Sequence, residues 1–231
     1  MDALIALIYA ILFAWIILKA KFFKLDGIPS KYIFIVFLLK IIAGTALYFV
    51  YTYYYEDRST ADIFKYFDDS KIMYDALFDK PIDFFKMLFS VQNDNAYFDV
   101  MYYSEMNNWY RVFENNLYND SHTIIRLNAL FRLFSFGSYH VHTVFMCFLS
   151  LTGLVYLYRF FEKFIKANKQ LLFFAVFLVP SVILWTSGVL KEGLLVFGLG
   201  LMLYFFENLL DKKSKIKSLI FMHLGIFILL Y

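Results

Sequence analysis

Apolar and polar residues fall in long blocks along this chain, not in short alternations. Apolar runs occupy Ala3 to Leu18, Tyr32 to about Tyr54, Tyr139 to Tyr158, Leu171 to Trp185, Val189 to Phe206 and Ser218 to Tyr231. A helix rises 1.5 Å per residue, so roughly 20 apolar residues cross a hydrocarbon core of about 30 Å. The first five runs therefore predict membrane-spanning helices. The sixth, of 14 residues, falls short, which predicts that the chain stops inside a sixth span and is a fragment of a longer protein. Thr123 to Arg159 is too long for one span. It divides at Ser135-Phe136-Gly137-Ser138 into an interfacial helix, Thr123 to Phe134, and the span from Tyr139.

The polar blocks give the orientation. Lys19, Lys21 and Lys24, then Arg159, Lys163, Lys166 and Lys169, then Lys212, Lys213, Lys215 and Lys217 all fall on one side of the predicted spans. The positive-inside rule makes that side cytoplasmic and puts the N-terminus and the long polar loop, Glu56 to His122, outside. The first run precedes its lysines, the reverse of a cleavable signal peptide, so it reads as a retained span. The chain is thus expected to be an all-α polytopic bundle in three parts. Residues 1–55 hold two spans, 56–137 an outer loop of short amphipathic interfacial helices, and 138–231 the remaining spans.

Composition agrees. Of 231 residues, 61% are hydrophobic and 23% aromatic, well above an ordinary soluble domain. Thirty Phe and nineteen Tyr also fit AT-rich codon usage. A net charge of +3 is too small for a nucleic-acid partner, and the single cysteine, Cys147, excludes an internal disulfide.

The outer loop carries thirteen Asp/Glu against six Lys/Arg. From Asp62 to Leu77 the apolar residues recur at helical spacing, which puts Asp62, Tyr66 and Asp69 on one face at i, i+4 and i+7. Pro81 suits the start of a second amphipathic helix, Pro81 to Phe89. Asp62 has two readings: it can be a general base near the outer membrane face, or it can close a capping box, Ser59-Thr60-Ala61-Asp62, on the Ser59 amide. Asp68, Asp94, Asp99 and Glu105 read as solvated charges.

The stretch Trp185-Thr186-Ser187-Gly188-Val189-Leu190-Lys191-Glu192-Gly193 sits between two apolar runs. On this topology Trp185 lies at the outer interface, Ser187 or Gly188 caps the next helix, and Lys191 and Glu192 occupy its first turn. Glu192 suits the positive end of the helix dipole. A lysine beside the free N–H groups of a helix start makes an anion site, best suited to phosphate; the competing reading is a lysine snorkelling to lipid phosphates. Arg126 and Arg132 are further phosphate contacts, six residues apart and on different faces, so one at most enters a given site. Lys40, inside the second span, snorkels or pairs within the bundle. His140 and His142 face different ways and no HExxH or CxxC spacing occurs, so no metal ligands are assigned.

Three segments together resemble polytopic GT-C-type glycosyltransferases and bacterial surface-polysaccharide polymerases: TADIFKYFDDS in the first large outer loop, RLNALFRLFSFGSYHVHTVF leading into a span, and PSVILWTSGVLKEG. They cover about half of the chain. The resemblance implies sugar transfer at the outer face of a bacterial cytoplasmic membrane, from a polyprenyl (di)phosphate-linked donor to a glycan or lipid acceptor. It implies Asp62, with Asp69 second, as the base or acceptor-orienting acid. It implies Lys191 with Arg126 or Arg132 as holders of the donor phosphate, supported by Tyr66, Trp185, Ser187 and Glu192. Such enzymes have more spans than this chain, and a tight acid pair is not evident, so a divalent metal stays open. Two other readings compete. One is a transporter or flippase component for lipid-linked saccharides, with Lys40, Lys191 and Glu192 lining a path. The other is a structural subunit whose outer loop binds a protein.

Overall fold

The computed structural model describes residues 2–55, 57–58, 60–110, 121–165, 168–211 and 214–230. Ser59, Lys166, Lys212, Lys213 and Tyr231 lie outside the described residues, and with Ser59 goes the capping-box reading of Asp62.

Among the described residues the regular structure is helical. The helices are α1 (Asp2–Lys19), α2 (Ser30–Tyr53), α3 (Asp62–Asp79), α4 (Pro81–Phe89), α5 (Ala96–Met101), α6 (Ser121–Ser135), α7 (Tyr139–Glu162), α8 (Lys169–Phe177), α9 (Pro180–Trp185), α10 (Lys191–Leu210) and α11 (Lys215–Leu230). Four of them, α1, α2, α7 and α10, are long and apolar enough to cross a membrane.

α7 is the axis of the bundle and packs against α1, α2, α6, α8 and α10. It buries residues on all sides, including Val144, Cys147, Leu151, Val155 and Tyr158. α1 is the opposite case: it buries only Ala6 and Ile17, while Leu4, Leu7, Ile8, Ile11 and Trp15 face outward. Glycines set the closest crossings. A Cβ on Gly200 of α10 would lie 2.3 Å from the Gly153 carbonyl oxygen of α7, and one on Gly225 of α11 would lie 2.6 Å from the Gly198 oxygen. Bare backbone is what lets these three helices touch.

The fifth apolar run does not form the single span expected of it. Helix α8 ends at Phe177, and Val179 is extended (φ −65°, ψ 122°), as steric conflict with the following proline ring demands. Pro180 opens the six-residue α9. The chain then runs through Thr186 to Leu190 without regular structure, and all five residues are buried. This turn meets α2 at Lys40 and Gly44 and α7 at Cys147 and Ser150. Ser150 is eleven residues, about 16 Å, along α7 from its start, so Thr186 lies deep in the bundle, and the turn climbs from there to Val189 beside Tyr139. The turn thus begins deep in the bundle at Thr186 and ends at the start of α10, beneath the cap layer. The polar residues of the stretch make this depth tolerable, because an irregular backbone away from water needs partners for its N–H and C=O groups.

At one end of the bundle α3, α4, α5 and α6 form a cap layer. α3 and α4 start at the predicted residues, with Pro81 in the first turn of α4. α5 was not expected; the Asn95 side chain N-caps it by accepting from the Tyr97 and Phe98 amides at 3.1 and 3.4 Å. Between α6 and α7 the predicted break holds two consecutive left-handed residues, Phe136 (φ 51°) and Gly137 (φ 78°). The described lysines of the three basic clusters gather at the far end, where Arg159 binds the Phe22 carbonyl and Lys169 pairs with Asp26.

The glycine crossing yields a direct expectation. Gly200→Leu forces backbone apart and destabilises the bundle by about 1–3 kcal/mol or more, read as a lower thermal midpoint of the detergent-solubilised protein. Leu195→Ala, at an exposed position of the same helix, serves as the control. Equal midpoints for the two variants would refute the contact.

Candidate functional site

Three helix ends meet beneath the cap layer: the end of α2, the start of α3 and the start of α10. Asp62 lies in the first turn of α3 with its side chain exposed and Lys65 Nζ at 3.8 Å. Glu192 lies in the first turn of α10 and is also exposed. The Tyr51 hydroxyl of α2 is within electrostatic reach of both carboxylates, and its ring stacks on Tyr55 with centroids 5.1 Å apart. Half-buried Lys191 places its ammonium 5.8 Å from the centroid of Tyr66, one turn along α3 from Asp62. Asp62, Tyr66, Lys191 and Glu192 are thereby brought into one neighbourhood. Tyr51 joins them; the sequence had marked it only as part of an aromatic belt.

The helical register of Asp62, Tyr66 and Asp69 holds, but their environments differ. Tyr66 and Asp69 are fully buried while Asp62 is open. Both oxygens of Asp69 are engaged: Oδ1 accepts from the Asn107 amide at 2.7 Å and from its side chain at 3.3 Å, and Oδ2 accepts from the Asn108 amide at 2.8 Å. Burial raises the Asp69 carboxyl above its usual range, and these N–H donors pull it back. Asp69 thus anchors the loop after α5 to α3, a role set by contacts 38 residues away that no local pattern reveals. Asp68, read as a solvated charge, lies at the surface and takes a bidentate pair from Arg58 at 2.7 and 2.8 Å.

The arginines part company as their spacing requires. Arg132 is buried; its Nε donates to Ser70 Oγ at 2.8 Å, its Nη2 to the Phe67 carbonyl, and its guanidinium covers the Phe67 ring at 4.1 Å. Loss of water there draws its pKa down to about 10, so it stays charged at neutral pH. Arg126 donates to the Met87 carbonyl at 2.8 Å and lines a separate cavity of about 410 Å³ with Asn93, Asp94, Tyr103 and Trp109. Both faces of Trp109 are covered, by Tyr103 at 4.2 Å and His122 at 3.8 Å, so this cavity offers polar groups and ring edges instead of an open stacking surface. Neither arginine is placed by these contacts beside Lys191.

The start of α10 corrects another expectation. Its N-cap is Leu190, extended and without a side-chain cap, so neither Ser187 nor Gly188 caps it. Ser187 is buried in the turn, its hydroxyl donating back to Ile183, and Trp185 is partly exposed at the end of α9. Lys40 pairs within the bundle: its buried ammonium donates to the Thr186 carbonyl at 3.1 Å and to the Thr186 hydroxyl. Ser150 donates to the same carbonyl at 2.7 Å, and the Cys147 thiol to the Ser187 carbonyl at 3.3 Å. His142 bonds Asn128 Oδ1 and Ser135 Oγ at 2.6 and 2.9 Å. Because the Asn128 amide nitrogen already serves the Ile124 carbonyl, its oxygen accepts, which puts a proton on His142 Nδ1. Among the described residues no three His, Cys, Asp or Glu side chains converge as a metal site.

Comparison with protein-family models, with curated proteins and with solved structures found no match to this chain.

Two expectations follow. Asp69→Ala strands the Asn107 and Asn108 amides at a cost of about 2 kcal/mol or more. Limited proteolysis between 106 and 110 then outpaces that of the parent, while an unchanged cleavage rate would rule out the anchoring role. Separately, Lys40→Met releases the Thr186–Leu190 turn. Cys147, silent to N-ethylmaleimide in the parent, becomes labelled in this variant; continued silence would mean that the turn holds without the ammonium.

Proposed function

We propose that the chain is a polytopic membrane protein that transfers a sugar from a polyprenyl (di)phosphate-linked donor. The reaction occurs at the cap-layer face, outside a bacterial cytoplasmic membrane. The outward apolar face of α1 supports the membrane reading, since a water-exposed stripe of Leu4, Leu7, Ile8, Ile11 and Trp15 would be unfavourable. The collection of lysines at the opposite end supports the orientation.

The observation that carries the reading is the meeting of an ammonium with two open carboxylates at the start of α10. Asp62, exposed at the α3 terminus, takes the proton of an acceptor hydroxyl. The acceptor oxygen bonds to the anomeric carbon as the bond from that carbon to the donor phosphate oxygen breaks. The departing polyprenyl (di)phosphate leaves with the bonding electron pair. Lys191 and the first N–H groups of α10, which have no intrahelical acceptor, hold its charge. Asp69 and Arg132 hold the α3 and α6 frame behind this site.

A second reading has its own observation. The break between α9 and α10, with Lys40 buried beside it, is the kind of discontinuous helix that transporters place at their midplane. It makes the chain a flippase component for the same lipid-linked sugars.

The test uses the full protein in proteoliposomes with a labelled polyprenyl-linked donor. Asp62→Asn is expected to lower the turnover of sugar release by 10²–10⁴-fold, whereas Lys191→Ala acts mainly by raising the donor KM. Asp69→Asn, which keeps an acceptor for the loop amides, retains most activity. No release by the parent with any donor, together with movement of intact donor across the bilayer that Lys40→Met abolishes, would replace transfer by transport.

A further inference from the structure

At the lysine-rich end, α7, α10 and α11 splay around a second cleft of about 370 Å³, within the usual range for a small-molecule site. Phe22 and Tyr156 form apolar walls, and Arg159, Asn208, Ser214 and Lys217 supply the polar lining. The cleft is on the opposite side of the bundle from Asp62 and Lys191, and nothing in the transfer reaction uses it.

Its charge is uncompensated. The acids around it are taken by other bases: Glu207 and Asp211 by Lys163, Asp26 and Glu162 by Lys169. Among the described residues no carboxylate pairs with Arg159 or Lys217. Arg159 donates from Nη2 to the Phe22 and Lys24 carbonyls at 2.7 and 3.4 Å, and its buried Nε–H has no acceptor. Lys217 touches only the edge of an aromatic environment, 6.0 Å from the Phe221 centroid. Ser214 and Lys217 flank the start of α11, a 16-residue helix whose first N–H groups lie at the positive end of its dipole. Two cations without a carboxylate partner and a helix start line one cleft and together form an incomplete anion site.

We propose that this cleft binds a phosphate-bearing anion, with the phosphodiester head group of an anionic membrane lipid as its natural form. The phosphate oxygens face the Arg159 guanidinium, the Lys217 ammonium and the Ser214 hydroxyl, which line the cleft together. The glycerol and upper acyl carbons lie on Phe22 and Tyr156, between helices whose outer surfaces are apolar. Basic pockets between spanning helices are well suited to such head groups.

The experiment is native mass spectrometry of the full chain released from mixed phosphatidylcholine and phosphatidylglycerol bilayers, with inorganic phosphate titrated in a parallel series. Selective retention of phosphatidylglycerol is expected. Lys217→Gln, at an exposed position that disturbs no packing, weakens it about fivefold, as loss of one cation near a lipid surface should. Arg159→Gln weakens it further, and Lys215→Gln, two residues away and outside the cleft lining, leaves it unchanged. If inorganic phosphate alone displaces the lipid or raises the thermal midpoint, free phosphate is an equal source of the ligand, and the site stands. Equal retention of both lipids with no response to phosphate overturns the proposal. So does an equal effect of Lys215→Gln and Lys217→Gln, which would reduce the cleft to general surface charge.

Discussion

A single buried ammonium decides where the middle of this chain goes. Lys40 has no carboxylate beside it among the described residues, and it is satisfied instead by the carbonyl and hydroxyl of Thr186. Removing an ion from water costs several kcal/mol even after relaxation, so the pairing holds only because the turn brings two oxygens to one point. The reverse dependence is as strong. The Thr186 carbonyl belongs to a buried residue, and Lys40 and Ser150 are its donors. Lysine and turn each make the other's burial tolerable, and the irregular stretch that leads into α10 can stay buried because of it.

The cap layer sits on the bundle through a second polar chain of the same kind. Asn128, His142 and Ser135 join α6 to α7, and Arg132 joins α6 to α3 through Ser70 and the Phe67 carbonyl. Aromatic faces fill the rest: Phe67 packs against Tyr139 and His142 with centroids 5.3 and 4.8 Å away. Buried polar groups that are fully bonded specify one arrangement more sharply than apolar contacts do. This is how a layer of short helices can hold Asp62 at a defined place beside the start of α10.

How much of this could be read from residues alone follows from the range of the interactions. The long apolar runs, the break at Ser135 to Ser138, and the starts of α3 and α4 are local, and periodicity and turn chemistry disclose them. The depth of the Thr186–Leu190 turn is not local, because it depends on a lysine 146 residues away. Pro180 opens α9 and breaks the fifth run, and hydropathy alone does not disclose how deep in the bundle the stretch after α9 lies. The same holds for the acids. Asp62 and Asp69 look alike in a helical wheel, but amides from Asn107 and Asn108 make one an anchor and leave the other open. Tyr51 could not be singled out, since its interest lies in which carboxylates surround it and not in its own surroundings along the chain.

The glycine contacts have a mechanical side. α10 is gripped at nearly one level from two directions, by α7 through Gly153 and Gly200 and by α11 through Gly198 and Gly225. Backbone pressed on backbone allows little sliding, so this belt acts as a fulcrum. Lys191 lies nine residues from Gly200, an arm of about 13 Å. A tilt of α10 about the belt therefore swings its charged tip through a wide arc while the contacts at the fulcrum hardly change. The belt grips α10 near its middle, so the two ends of the helix, Lys191 and Leu210, would move in opposite directions by similar amounts.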